Sequence, residues 1–170
     1  MAQSSKVKQI CRLLNQHAAA LQLYARQWSS SPEDCVQEAF VKLAAQTEMP
    51  DKPVAWLYRV VRNGALNWAR TESRRSEREK AAAEIKRSQF ESEPNKALEQ
   101  LELAAAIEDL PAADRELIVL RVWSELTWQQ IAELTNQSSS SAHRNYVQAL
   151  EKLKNKLEPE CSTNIKSHQN

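Results

Sequence analysis

The sequence predicts an all-α protein made of two small helical domains joined by a flexible linker. A single glycine among 170 residues favours long helices over tight turns. Apolar residues recur at three- and four-residue steps in both halves of the chain, which is the period of a helix with one buried stripe. Between the halves, residues 76–100 carry alternating charges and few large apolar side chains. The expected boundaries are a first domain at 5–79, a linker at 80–95, a second domain at 96–157 and a tail at 158–170.

Composition argues against enzymes, metalloproteins and membrane proteins. Cys11, Cys35 and Cys161 are odd in number and far apart, which indicates neither a disulfide framework nor a zinc site. The three histidines are equally scattered, and no nucleophile or phosphate-binding signature occurs. We therefore expect no catalytic residues, no metal and no cofactor. With no apolar run of about eighteen residues and no signal peptide, we also expect a soluble cytoplasmic protein without a membrane partner.

The first two predicted helices are amphipathic. Lys6 to Trp28 reads as one helix, whose buried face includes Leu13 and Leu14. A second helix starts at Ser31-Pro32, with Ser31 as a predicted cap and Pro32 at the first helical position. Its exposed polar residues near the start are Asp34, Gln37 and Glu38. From the residues alone, these side chains serve helix-end electrostatics and solvation, or a binding surface.

The third predicted helix, from Pro53 to Arg75, is strongly basic. It contains five arginines between residues 59 and 75 against one acid, a local charge of +4 in a chain whose net charge is +1. The aromatic residues Trp56, Tyr58 and Trp68 are interleaved with these arginines. Arginine forks match phosphates and flat rings can stack on unpaired bases, so the pattern suggests nucleic-acid binding. The alternative is an amphipathic helix with a solvated basic edge.

The second half predicts a helix-turn-helix unit. After a helix from Leu98 to Leu110, Pro111 restarts the helical pattern. Thr127 precedes Gln130 by three residues, the spacing of a capping box at the start of a short helix. Ser138 can then cap a longer helix. Two short helices across a tight turn favour a helix-turn-helix, with a plain helical hairpin as the alternative.

Three motifs in this order resemble one known family. They are PEDCVQEAFVKL (32–43), VAWLYRVVRNGALNWAR (54–70) and LPAADRELIVLRVWSELTWQQIAEL (110–134). Together they resemble bacterial sigma factors of the extracytoplasmic-function group, which contain only the second and fourth sigma domains. The resemblance implies a subunit that binds core RNA polymerase, recognises the −10 and −35 promoter elements with these two domains and helps to open the duplex. It also admits an anti-sigma factor as a further partner.

The resemblance assigns roles to individual positions. The polymerase contacts it implies are Asp34, Gln37 and Glu38. The residues it implies for the −10 element are Trp56, Tyr58, Arg59, Arg62, Asn63, Asn67 and Arg70, followed by the basic Arg74 and Arg75. Those implied for the −35 element are Thr127, Ser139, Ser140, Ser141, His143, Arg144, Asn145 and Gln148. Trp56 and Trp68 can instead belong to the domain core, and the apolar stripe favours this for Trp68.

The sequence also departs from the family pattern. Gln137 stands where an apolar residue is common, and the recognition helix has few cations. Between residues 101 and 157 there are eight acidic and six basic residues, a net charge of −2. The acidic second domain keeps open a helical polymerase-binding or interaction protein without initiation activity. A stand-alone helix-turn-helix regulator also fits the second domain, but it leaves the motifs at 32–43 and 54–70 unexplained.

Overall fold

The computed structural model describes the backbone of residues 2–79 and 97–158 and the side chains of residues 5–73 and 102–158. All regular structure in these ranges is helical, as predicted. The helices are α1 (Ala2–Ala25), α2 (Pro32–Ala45), α3 (Pro53–Glu79), α4 (Ala97–Glu108), α5 (Ala112–Trp123), α6 (Trp128–Thr135) and α7 (Ser139–Leu157). We refer to α1–α3 as the N-terminal domain and to α4–α7 as the C-terminal domain. The predicted linker at 80–95 and the tail beyond residue 158 lie outside the described residues.

The N-terminal domain is a three-helix bundle whose core contains aliphatic side chains and the rings of Tyr24 and Tyr58. Leu21, Leu43 and Leu57, one from each helix, are fully buried. α1 ends at Ala25 rather than at the predicted Trp28, because residues 26–28 form a turn that places Trp28 edge-on to Tyr24, with 5.1 Å between ring centroids.

Two local predictions in this domain are wrong. The Ser31 side chain makes no capping hydrogen bond at the start of α2. Instead the Ser31 N–H donates to the buried hydroxyl oxygen of Ser29 at 3.1 Å. Leu14, expected on the buried face beside Leu13, is 42% exposed, because the side of α1 that it occupies borders an open groove.

The C-terminal domain contains the predicted helix-turn-helix in α6 and α7. The Thr127 hydroxyl accepts a hydrogen bond from the Gln130 N–H, and the Gln130 side chain accepts one from the Thr127 N–H, so the predicted capping box is present. Asn136 ends α6 in the left-handed conformation, with φ of 57°, which asparagine adopts more readily than most residues. Ser138 then caps α7 by accepting from the Ser141 N–H, as predicted.

The two domains pack against each other. α1 contacts α5 and α3 contacts α6. One hydrophobic cluster runs from the N-terminal bundle into the C-terminal domain, where it includes Leu117, Leu120 and Ile131. A smaller cluster contains Ile118 of α5, Leu153 of α7 and Leu110 between α4 and α5, and Ile107 of α4 packs against it. The predicted linker therefore connects two domains that share a buried face.

Candidate nucleic-acid and protein-binding surfaces

The candidate polymerase-binding residues lie together on the exposed side of α2. Asp34, Gln37 and Glu38 are all exposed, and Glu38 forms an ion pair with Lys42 one turn later at 2.7 Å. Exposed pairs of this kind contribute little to stability. The polar face of α2 is thus open to a partner, although helix-end electrostatics at Asp34 remains compatible with its position in the first turn.

An apolar groove between α1 and α2 adjoins this polar face. It has a volume of about 380 Å³ and is lined by Leu14 from α1 and by Phe40, Val41 and Gln37 from α2, among others. Val41 is 61% exposed, unusually open for a residue of its type. Helical periodicity alone does not indicate a role for Val41; its signal in the sequence is an apolar residue beside, rather than within, the buried stripe of α2. Gln37 joins the groove to the polar face, and together they form what we call the α1–α2 surface.

The candidate −10 residues on α3 fall into two groups. Arg59, Asn63, Asn67 and Arg70 are exposed. Trp56 is half-buried and packs against the hydrophobic core, while Trp68 is half-buried farther along the helix. Arg74 and Arg75 lie on the same helix, but their side chains are outside the described residues.

Tyr58 and Arg62 form the second group, which faces the C-terminal domain. Tyr58 is buried, whereas 26% of the Arg62 side chain stays exposed. Tyr58 is 1% exposed, and its hydroxyl has no hydrogen-bond partner among the described residues. Burial, with a smaller contribution from the Glu125 carboxylate, raises the pKa of Tyr58, so the phenol stays neutral. The expectation that Tyr58 faces nucleic acid is not met in this arrangement, because periodicity within α3 gives no sign of the second domain packed on that side.

Arg62 is held by a buried carboxylate of the other domain. Its Nε donates to Glu116 Oε1 at 2.7 Å and its Nη2 to Glu116 Oε2 at 3.3 Å. The Tyr24 hydroxyl donates to Glu116 Oε1 at 2.6 Å. We call these three residues the interdomain cluster. Hydrogen bonding to Glu116 raises the pKa of Arg62, and burial together with the Glu116 charge raises that of Tyr24.

The interdomain cluster satisfies a carboxylate that could not otherwise be buried. Glu116 is 6% exposed, and an ionised carboxylate in such surroundings needs a charge partner and donors. Arg62 supplies the charge and both donors of its fork, and Tyr24 supplies a third hydrogen bond. The cluster therefore specifies which faces of the two domains meet.

The candidate −35 residues lie on and around the start of α7. Ser139, Ser140, His143, Arg144 and Gln148 are exposed. Ser141 and Asn145 are half-buried, and Thr127 is exposed at the start of α6, where its side chain is engaged in the capping box. The candidate −35 residues thus occupy the first three turns of α7 and the start of α6, and Asn145 lies partly inside.

Arg121 lies against a cluster of aromatic rings beside the candidate −35 residues, and its position in the sequence does not indicate this role. The Arg121 guanidinium lies 4.8 Å from the centre of a Trp128 ring. The same indole contacts the rings of His143 and Tyr146 edge-on, at 5.1 and 5.3 Å. Arg121 is exposed and next to the start of α6. The only signal for it in the sequence was a lone arginine in the last turn of α5.

Ion pairs occupy several cations of the C-terminal domain. Lys152 pairs with Asp114 at 2.6 Å and Lys156 with Asp109 at 2.8 Å. The Lys156 ammonium lowers the pKa of Asp109. These lysines lie in the second half of α7, so the cations at its start are Arg144 and, beside α6, Arg121. The charges between residues 101 and 157, which sum to −2, are thus distributed unevenly: Arg144 and Arg121 lie near the start of α7, and the paired lysines lie in its second half.

Other kinds of site are not indicated in the described part of the chain. Within it, no group of histidine, cysteine and acidic side chains is arranged to hold a metal ion. None of the helices described is both long and apolar enough to cross a membrane.

The fold and the two surfaces define a two-domain helical protein with a helix-turn-helix, and comparison with known proteins identifies the family. Residues 13–75 match the family model for sigma-70 region 2, and residues 100–153 match that for sigma-70 region 4. The chain belongs to the sigma-70 family, and region 2 is followed directly by region 4, as in the extracytoplasmic-function group that the sequence resembles. Members of this family are transcription initiation factors rather than enzymes.

A solved structure with a similar fold comes from the same family. It is the sigma factor RpoE of Bartonella quintana, in complex with the anti-sigma factor NepR. The TM-score is 0.66 with 22% sequence identity, and the match covers 90% of this chain and 99% of the other. A search of curated proteins by sequence gave no significant match.

The interdomain cluster leads to a paired prediction for two tyrosines of the same core. Tyr24→Phe removes a donor from buried Glu116 and should lower the free energy of unfolding by about 1–3 kcal/mol. Tyr58→Phe removes a hydroxyl that has no partner among the described residues, and it should change the free energy of unfolding by less than about 0.5 kcal/mol, or raise it. Urea unfolding of both variants measures the difference, and equal destabilisation would contradict the cluster as described.

Proposed function

We propose that this chain is a sigma subunit that binds core RNA polymerase in the cytoplasm and directs promoter-specific initiation by recognising −10 and −35 elements. The observation that carries this proposal is the presence, in one chain, of sigma-70 regions 2 and 4 on two helical domains. The first bears a basic helix and the second a helix-turn-helix. The chain therefore contains both regions with which we expect it to recognise a promoter.

The α1–α2 surface suits the polymerase contact. Exposed Leu14 and Val41 give it an apolar strip, and Asp34, Gln37 and Glu38 give it an acidic and polar edge. An amphipathic helical partner with basic flanks would bury the strip and pair with the edge. We assign the core polymerase to this surface.

The −10 element is assigned to α3. Opening the duplex requires rings or pockets for unstacked bases and cations for the phosphates of the displaced strand. Exposed Arg59 and Arg70 supply cations, and Asn63 and Asn67 supply hydrogen-bonding groups between them. The proposed set is completed by Trp56, Tyr58, Arg62, Arg74 and Arg75. Of these, Tyr58 becomes accessible only when the domains separate, and Arg62 becomes fully accessible only then.

The −35 element is assigned to the start of α7. A recognition helix reads base edges in the major groove with its N-terminal residues while neighbouring groups contact phosphates. Arg144 and Gln148 are placed as base-reading side chains, supported by Ser139, Ser140, Ser141, His143 and Asn145. Thr127 and Arg121, beside the start of α6, are placed on the phosphate backbone.

The closed arrangement makes promoter binding depend on the polymerase. Glu116 neutralises the charge of Arg62 and engages its Nε and Nη2, which weakens its attraction to a phosphate, and Tyr58 cannot stack on a base while it is buried. Specific binding also needs the two domains at a fixed separation along the DNA. We propose that polymerase, bound to the α1–α2 surface, stabilises a separated arrangement of the domains in which α3 and the start of α7 can both contact the promoter. The free chain should then bind promoter duplex weakly at physiological salt.

One observation favours a second candidate. The net charge of −2 between residues 101 and 157 weakens the attraction of the C-terminal domain to DNA, which suits a polymerase-binding protein that no longer directs initiation. A stand-alone helix-turn-helix regulator would instead bind DNA without polymerase.

Because the structural neighbour was solved with its anti-sigma factor, we also propose an anti-sigma factor as a partner of this chain.

Transcription with purified core polymerase tests the proposal. The wild-type chain should produce defined new transcripts, whose start sites can be mapped. Asp34→Ala combined with Gln37→Ala should lower polymerase recovery in a pull-down and require more protein for the same transcript yield. Since both side chains are exposed, unfolding should shift by no more than about 0.5 kcal/mol.

Gln46→Ala combined with Asp51→Ala is a matched control, because it removes one amide and one acid from exposed positions of the same domain. The control should behave as wild type. Polymerase binding without defined transcripts would favour the second candidate. Equal polymerase recovery for both double variants would contradict the assigned surface.

Weakening the interdomain cluster should uncover DNA binding in the free chain. Glu116→Gln keeps the shape of the side chain but removes the charge that holds Arg62, and a hydrogen bond to a charged group contributes about 1.5–3 kcal/mol. If the closed form masks the −10 residues, the apparent affinity for a promoter fork with an unpaired −10 strand should rise by up to about tenfold. Fluorescence anisotropy without polymerase measures the change.

Glu108→Gln is the control for this experiment, because it removes the same charge from an exposed site of the same domain. It should raise affinity only by the general effect of one charge. Circular dichroism should establish that both variants are folded. If the two variants gain the same affinity, masking by the closed arrangement is wrong.

A further inference from the structure

Gln137 takes part in a hydrogen-bond chain that crosses the turn of the helix-turn-helix. The Asn145 Nδ2 donates to Gln137 Oε1 at 3.0 Å, and Gln137 Nε2 donates to Thr135 Oγ1 at 2.8 Å. The Thr135 hydroxyl donates to the Ile131 carbonyl at 2.8 Å. The chain thus links α7 to the last turn of α6 through Gln137.

The direction of these hydrogen bonds is fixed from one end. The Thr135 hydroxyl has one proton, and the Ile131 carbonyl accepts it. Thr135 Oγ1 can therefore only accept from Gln137, so the Gln137 amide must present its NH₂ to Thr135 and its oxygen to Asn145. That oxygen in turn requires the NH₂ of Asn145. A flipped amide at either position would set two acceptors or two donors against each other.

The direction of these hydrogen bonds determines which donor and acceptor groups of the Asn145 side chain remain available to DNA. One Nδ2–H is bound to Gln137, which leaves the second N–H and both lone pairs of Oδ1. Asn145 lies in the second turn of α7, one turn from Ser141 and from exposed Gln148 on the same side. A donor and an acceptor side by side match the N7 acceptor and N6 amino group of adenine in the major groove.

We propose that Gln137 is a positioning residue that orients the Asn145 amide to select an A·T base pair within the −35 element. The proposal rests on the proposed function of the C-terminal domain. Asn145 is half-buried and tied at one end, so its rotamer is set before DNA arrives and less ordering is needed on binding. A leucine at position 137 would fill similar space but could not orient the amide.

Transcription by the polymerase complex on promoters that vary each −35 base pair tests the reading step. Asn145→Ala should relax preference at one A·T pair, where the wild type discriminates by roughly 5- to 150-fold, the range of one bidentate base contact. Gln137→Leu should relax preference at that same pair and at no other. Gln137→Glu retains an acceptor for Asn145, and the Thr135 hydroxyl can turn its proton from the Ile131 carbonyl to the new carboxylate, so this variant should restore part of the preference.

The double variant separates positioning from other effects. If Gln137 acts only through Asn145, adding Gln137→Leu to Asn145→Ala should change the preference no further. Gln129→Leu, at an exposed glutamine of α6, is the control and should leave preferences unchanged. A preference unaffected by Gln137→Leu, or altered at a different base pair from that of Asn145→Ala, would overturn the proposal.

A measurement without DNA keeps this proposal separable from the proposed function. NMR of the full chain should show a restricted Asn145 side-chain amide, with an order parameter that falls in Gln137→Leu and is retained in Gln137→Glu. An amide equally mobile in all three proteins would refute the positioning role even if the chain directs transcription. Conversely, a chain that gives no defined transcripts but has the restricted amide would refute the proposed function and the base-reading step while leaving the orientation of Asn145 established.

Discussion

The ion pair between Arg62 and Glu116 is the interaction on which the arrangement of the two domains depends. Breaking a buried pair by removing one partner leaves an uncompensated charge and costs about 3–5 kcal/mol. The apolar residues around it would bury area in several orientations, whereas a carboxylate that needs two donors of Arg62 and the hydroxyl of Tyr24 allows very few. Hydrophobic packing holds the domains together, and the cluster selects the faces that meet.

Local features of this structure could be predicted from the sequence, and long-range ones could not. The capping box at Thr127 and the cap at Ser138 involve residues three apart, so their spacing is visible in the chain. Glu116 lies 54 positions from Arg62 and 92 from Tyr24, and no periodicity connects them. Sequence patterns therefore predict the helices, the two domains and the family, but they also predict that Arg62 is open to DNA.

The Arg62–Glu116 contact also gives a physical reason why DNA binding by this nearly neutral chain should differ between the closed and the separated arrangement of its domains. In the closed arrangement part of the basic helix α3 is neutralised by the other domain, and the cations at the start of α7 are few. Separating the domains exposes Arg62 and Tyr58 but also leaves Glu116 without its partner, a cost that DNA alone is poorly placed to offset. A polymerase surface that binds both domains can offset it with many contacts at once.

We propose that the domains are closed in the free chain and separated in the polymerase complex. Energy transfer between fluorophores attached at exposed Thr47 in the N-terminal domain and exposed Glu151 in the C-terminal domain measures this most directly. The account predicts high transfer in the free protein and a marked loss on addition of core polymerase, before any DNA is present. High transfer that persists in the polymerase complex, or low transfer in the free chain, would contradict it.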